Sequence, residues 1–193
     1  MTRVKPVLSG DAVSGTREST ELAIVSLAER AQARSLLRGA LGKAGVFLVA
    51  LVVLFSFVVG VTVVRGDGMK PAASDGDVAL FSRLNQAYQP GDVVVYEHDG
   101  ARYLGRVVAG VGTSVEVTDE GNLKLNGNVQ DRIYGQPTMP ATDGPSYPLV
   151  LSARQLFVVG DNREGARDSR EFGPIDIDDV QGKVISLLRS RGL

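Results

Sequence analysis

Residues 44 to 64, AGVFLVALVVLFSFVVGVTVV, are 21 consecutive positions without a charged side chain, and they constrain the fold more than any other stretch. As an α-helix such a run crosses a hydrocarbon core of roughly 30 Å. It is apolar on every face, whereas a helix on a soluble core carries a polar stripe. A transmembrane helix over 44–64 is the expectation, with membrane lipid as its partner. The 43 preceding residues distinguish it from a cleaved signal peptide, whose shorter apolar core lies near the N-terminus.

Charge sets the orientation. Arg30, Arg34, Arg38 and Lys43 precede the run with no acidic residue among them, which places the N-terminus in the cytoplasm and residues 65–193 outside a bacterial cell membrane. Residues 1–18 read as an irregular tail. From Thr20 to Leu41 the pattern turns helical, with the three arginines on one face, so 1–43 is expected as a cytoplasmic tail with a basic helical segment. Residues 65–193 carry fourteen Lys/Arg against eighteen Asp/Glu, a balance that argues against nucleic-acid binding. There is no cysteine, which excludes thiol nucleophiles and zinc-thiolate sites, and no metal or cofactor is expected.

Past the span the signals are those of a mainly β domain. Val93–His98 and Ala101–Val108 flank Asp99-Gly100, a two-residue turn of the kind that demands positive φ. Partners across such a hairpin sum to 199, so Gly105 faces Val94 and shares a strand face with Tyr103 and Val107. Ser114–Val117 and Leu123–Leu125 form a second hairpin, and Asn126-Gly127 turns the chain again. Residues 134–148, with four of the eight prolines, read as an irregular loop. Gln155–Val159 is a buried-type strand ending at the polar break Gly160-Asp161-Asn162-Arg163, and Gly182–Leu188 is strand-like.

Four segments, in order, resemble the type I signal peptidase family (serine peptidase family S26), membrane-anchored serine proteases that remove signal peptides outside the cytoplasmic membrane. Val64-Arg65-Gly66-Asp67-Gly68-Met69-Lys70-Pro71 is similar to the family's Val-x-Gly-x-Ser-Met-x-Pro box. Gly91-Asp92-Val93-Val94-Val95 is similar to its Gly-Asp-x-Val-x-Val strand, and Tyr103-Leu104-Gly105-Arg106-Val107 to its Tyr-x-Lys-Arg-Val box. The stretch from Gly160 through Asp161, Asn162 and Arg163 to Asp168, Ser169, Arg170 and Gly173 is close to its Gly-Asp-Asn-Arg-x-x-Ser-x-Asp-Ser-Arg-x-Phe-Gly signature.

The resemblance implies a serine nucleophile with a neutral lysine as general base. The serine position is Gly68, the lysine position is Gly105, and a third hydroxyl position is Ala166. Glycine offers neither nucleophile nor titratable group, so loss of either removes covalent catalysis. Asp168 and Arg170, two apart, can share a strand face as an ion pair. The double substitution is expected to leave room beside Met69, Tyr103 and Val107, in a cleft to which Gly66 and Asp67 contribute, where an extended peptide can add as a strand. Lys70, Ser74 and His98 are weak replacements, and Lys124 and Lys183 read as exposed strand charges. The resemblance extends to signal-peptidase-like proteins without the dyad that accompany sortase-assembled pili. It implies an inactive factor binding exported pre-proteins or pilin subunits, with a sortase as a further partner. The rival expectation is an active peptidase with a displaced nucleophile.

Overall fold

The computed structural model of the chain describes residues 39–84 and 87–189. The expected basic segment around Arg30, Arg34 and Arg38 lies outside the described residues. The chain divides into two units, Met1–Val52 and Val53–Leu193.

The apolar helix α1 runs from Gly39 to Val58 and is long and apolar enough to cross a membrane. Its last turn, Leu54–Val58, widens to a π-helix in which the Val59 N–H donates to the Leu54 carbonyl. The helix begins before the expected boundary at 44 and stops six residues short of 64. Val59–Val63 forms strand β1 instead, paired antiparallel with β2 (Val78–Ser82). Positions 59 to 64 are β-branched apart from Gly60, a composition that permits a pleated surface, and pairing with β2 selects it.

The remaining strands are β3 (Val93–His98), β4 (Ala101–Ala109), β5 (Ser114–Val117), β6 (Leu123–Leu125), β7 (Asn128–Val129), β8 (Leu149–Val150), β9 (Gln155–Val159), β10 (Ile175–Asp176) and β11 (Val180–Leu188). Helix α2 is a single turn, Ser169–Phe172. A seven-stranded sheet has the order β1-β2-β11-β3-β4-β9-β10, and a four-stranded sheet the order β7-β6-β5-β8, with every pairing antiparallel. The expected hairpins are present. Val94 faces Gly105, and Asp99, Gly100, Asn126 and Gly127 all have positive φ in their two-residue turns.

Strand β9 and the C-terminal half of β4, neighbours in the large sheet, are buried on both faces. Val107, Leu156 and Val158 pack with Val94, Tyr96 and Ile175 on one side. Val108, Phe157 and Val159 pack against Val115, Val117 and Leu123 of the small sheet on the other. This explains the uninterrupted apolar run Leu156–Val159, since a strand covered on both faces has no polar alternation. A third cluster, Val64, Met69, Ala73 and Ala79, seats the segment that follows β1.

Candidate functional site

The segment 64–71 leaves β1 and folds against the loop that follows β9. Asn162 joins the two: its backbone N–H donates to the Gly68 carbonyl at 3.0 Å, and its side-chain amide donates to the Asp67 carbonyl at 3.1 Å. The approach is close enough to require glycine on the facing side. A Cβ at Gly160 would stand 2.5 Å from the Gly68 oxygen and 2.3 Å from Ala166 Cβ. Gly68 and Ala166 are thus held side by side, and a Cβ at 68 would meet Ala166 at 3.4 Å, ordinary contact.

A cleft of about 210 Å³ opens over this point, lined by Gly66, Asp67, Gly68, Met69, Tyr103 and Ala166 among others. The structure therefore brings together four of the expected cleft residues. Arg65, Arg102, Leu104 and Arg167 also line it, and no pattern in the residues singles them out. The fifth expected residue, Val107, is fully buried in the core and does not line this cleft. Asp67 is half-exposed and pairs with Lys70 Nζ at 2.9 Å, and the hydrogen bond from Lys70 holds its carboxyl below the usual range.

Gly105 differs from the expected vacancy. It is buried, and a Cβ built on it would lie 2.5 Å from Val158 Cγ1 and 3.3 Å from Tyr96 Cε1. Both intruders come from the flanking strands. Tyr96 pairs with Tyr103 and Val158 pairs with Val107, the residues two before and two after Gly105 on its own face. Each leans diagonally over the glycine, within reach of large side chains across a sheet. Any side chain at 105 would have to displace the Val158 methyl group. Tyr96 also stacks on Tyr103 with ring centroids 5.7 Å apart, and its hydroxyl is buried without a hydrogen-bond partner. Burial, and then the charge of Asp168, push its phenol well above the ordinary tyrosine range.

Behind the cleft lining stand two ion pairs, one part-buried and one buried. Asp161, fully buried, takes Arg106 Nε at 2.8 Å and Nη2 at 2.6 Å. Asp168 takes Arg170 Nε at 2.9 Å and Nη2 at 2.8 Å, and also accepts from the Gly160 and Arg170 backbone N–H groups. The expected Asp168–Arg170 pair is thus present, but not across a strand face. Asp168 caps helix α2 and Arg170 lies within it, because the Asp-Ser-Arg run supplies an N-cap acceptor. Ser169 is buried, and its hydroxyl accepts from Val158 N–H at 2.9 Å. Arg163 is buried with them.

None of the candidate replacements forms a hydroxyl–amine pair among the described residues. Lys70, Lys124 and Lys183 are each tied to a carboxylate, Asp67, Glu116 and Asp92 respectively. An ammonium in such a pair has no lone pair with which to accept a proton. The Ser74 backbone is bound to Asp77 in the turn before β2. His98 stacks on Phe172 at 4.2 Å.

A profile described as signal peptidase, peptidase S26, matches residues 38–188. Signal peptidase IB of Staphylococcus aureus strain Mu50 is 30% identical over 158 residues, covering 70% of this chain and 82% of that protein. Signal peptidase I S of Bacillus subtilis strain 168 is 29% identical over 140 residues, covering 66% and 76%. A solved signal peptidase I from Enterococcus faecalis V583 matches at 24% identity with a TM-score of 0.40, over 52% of this chain and 97% of that one. With a profile match over residues 38–188 and a relative 30% identical over 158 residues, the chain belongs to the signal peptidase family, peptidase S26.

Proposed function

We propose that this chain is a membrane-anchored signal peptidase homologue that holds exported chains without cutting them. The observation that carries the reading is the site at Gly105, which has no side chain and where Val158 stands at the place of a Cβ. Gly68 supplies no hydroxyl, and the three lysines of residues 65–193 are all engaged with carboxylates. The alternative, cleavage by a displaced nucleophile, needs a serine next to an unprotonated amine, and no such pair occurs among the described residues. The cleft over Gly68 still offers a floor of backbone and apolar side chains to an extended peptide.

In this reading α1 anchors the chain with its N-terminus in the cytoplasm and residues 65–193 outside. The clients are exported pre-proteins, pilin subunits in particular, with a sortase as a further partner in assembly. The test places a photo-crosslinking residue at Tyr103 in the full chain, in native membranes. Adducts with uncut pre-proteins or pilins are expected. Adducts only with processed products, or no exported client at all, would overturn the reading.

A further inference from the structure

A second pocket, of about 240 Å³, lies further along β4, and Arg106, Leu125, Gln130, Arg132, Thr138 and Arg163 contribute to its lining. It shares no lining residue with the Gly68 cleft. Arg163 is what needs explaining there. Its side chain is 4% exposed, Nη1 donates to Thr138 Oγ1 at 3.2 Å, and Nε is buried without a partner. No carboxylate among the described residues stands within ion-pair distance of it, since Asp161 is taken by Arg106 and Asp168 by Arg170.

The backbone holds Arg163 in place. Its N–H donates to Gln136 Oε1 at 2.8 Å and its carbonyl accepts from Arg170 Nη1 at 2.5 Å. A guanidinium removed from water without a counter-charge is strongly unfavourable. Burial first, and then the charge of Arg170, lower its proton affinity, and the nearby charges of Asp168 and Asp161 offset this only in part. Nε is closed to solvent, so a molecule in the pocket acts on Arg163 through its charge rather than through that N–H. The pocket is many times the volume one water needs.

We infer that this pocket binds a small oxyanion of phosphate size, whose charge completes Arg163. Arg132 adds a second positive charge at the exposed rim, opposed by Asp131 next to it, while the Thr138 hydroxyl and Gln130 amide offer polar partners. A guanidinium presents parallel N–H donors that match the spacing of two oxyanion oxygens. Free phosphate and the phosphate of an anionic lipid head group share this chemistry.

The test is the melting temperature of the full chain in detergent micelles, titrated with inorganic phosphate against chloride at matched ionic strength. Phosphate should raise the transition saturably and chloride should not. The phosphate shift should vanish in Arg163→Gln. Gln130→Glu places a carboxylate at the same pocket, so it should raise the transition of phosphate-free protein and remove the response to phosphate. That second variant keeps the test decisive if Arg163→Gln fails to fold. In nanodiscs, a phosphate shift lost with phosphatidylglycerol but retained with phosphatidylcholine would assign the oxyanion to a lipid, and one retained in both to a free solute. Equal shifts from chloride and phosphate, or a phosphate shift unchanged in Arg163→Gln or Gln130→Glu, would overturn the proposal.

Discussion

The Gly68–Gly105 neighbourhood and the loop from Gly160 to Phe172 border the same cleft, yet they hold opposite things. The loop carries buried carboxylates, each held by an arginine, and Asp168 by two backbone N–H groups as well. The two glycines carry no side-chain chemistry at all, and at Gly105 apolar and aromatic atoms fill the space. The contrast teaches that the framework and the reacting groups are physically separable. Asn162 can clamp the backbone of 67–68, and Asp168 can cap α2, whether or not a nucleophile stands between them.

The largest effect should come from breaking the framework side. Asp168→Ala leaves Arg170 buried without its partner and removes the acceptor for two backbone N–H groups, a loss of about 3–5 kcal/mol. Chemical denaturation of the full chain would read it, and a loss below about 1 kcal/mol would erase the contrast between the two regions.

Crowding the glycine side comes next. Gly105→Ala drives a Cβ into Val158, and overpacking of this kind costs about 1–3 kcal/mol. Adding Val158→Ala should recover part of that cost, so the double-mutant cycle should show coupling between 105 and 158. Additive losses would mean that the site is not closed as described. Tyr96→Phe deletes a buried hydroxyl that has no partner and should stabilise the protein by about 1 kcal/mol. Gly68→Ser, by contrast, meets only ordinary contact with Ala166 and should stay within about 0.5 kcal/mol of the parent without creating peptidase activity.

The smallest effect is in alkali. Burial pushes the Tyr147 phenol up to about 12 from an ordinary 10.0, and raises Tyr96 further. The unfolded chain therefore loses these protons first. Stability is unaffected below pH of about 10 and falls as pH rises through the folded values. Melting curves against pH should show the decline, and Tyr96→Phe should flatten it.

Much of this arrangement was legible in the residues. The register that sets Gly105 against Val94 follows from a two-residue Asp-Gly turn, which is local information. The apolar run misled at its end, because hydropathy has no period: valines suited to lipid are equally suited to β1, and only pairing with β2 decides between them. The closure over Gly105 was half visible. Tyr96 follows from the same hairpin register, but Val158 arrives by pairing of β4 with β9, about fifty residues away, which no local pattern encodes. Arg170 was misplaced for a related reason, since spacing by two fits a strand as well as a capped single turn.

The central claim is that the cleft receives an exported chain and performs no hydrolysis. Its most direct test is the mass of a purified exported precursor after prolonged incubation with the full-length protein in a lipid bilayer. The account predicts an unchanged mass, with intact precursor co-purifying with the protein. A precursor shortened at its signal-peptide junction, with the cut abolished by Ser74→Ala or Lys70→Ala, would contradict it.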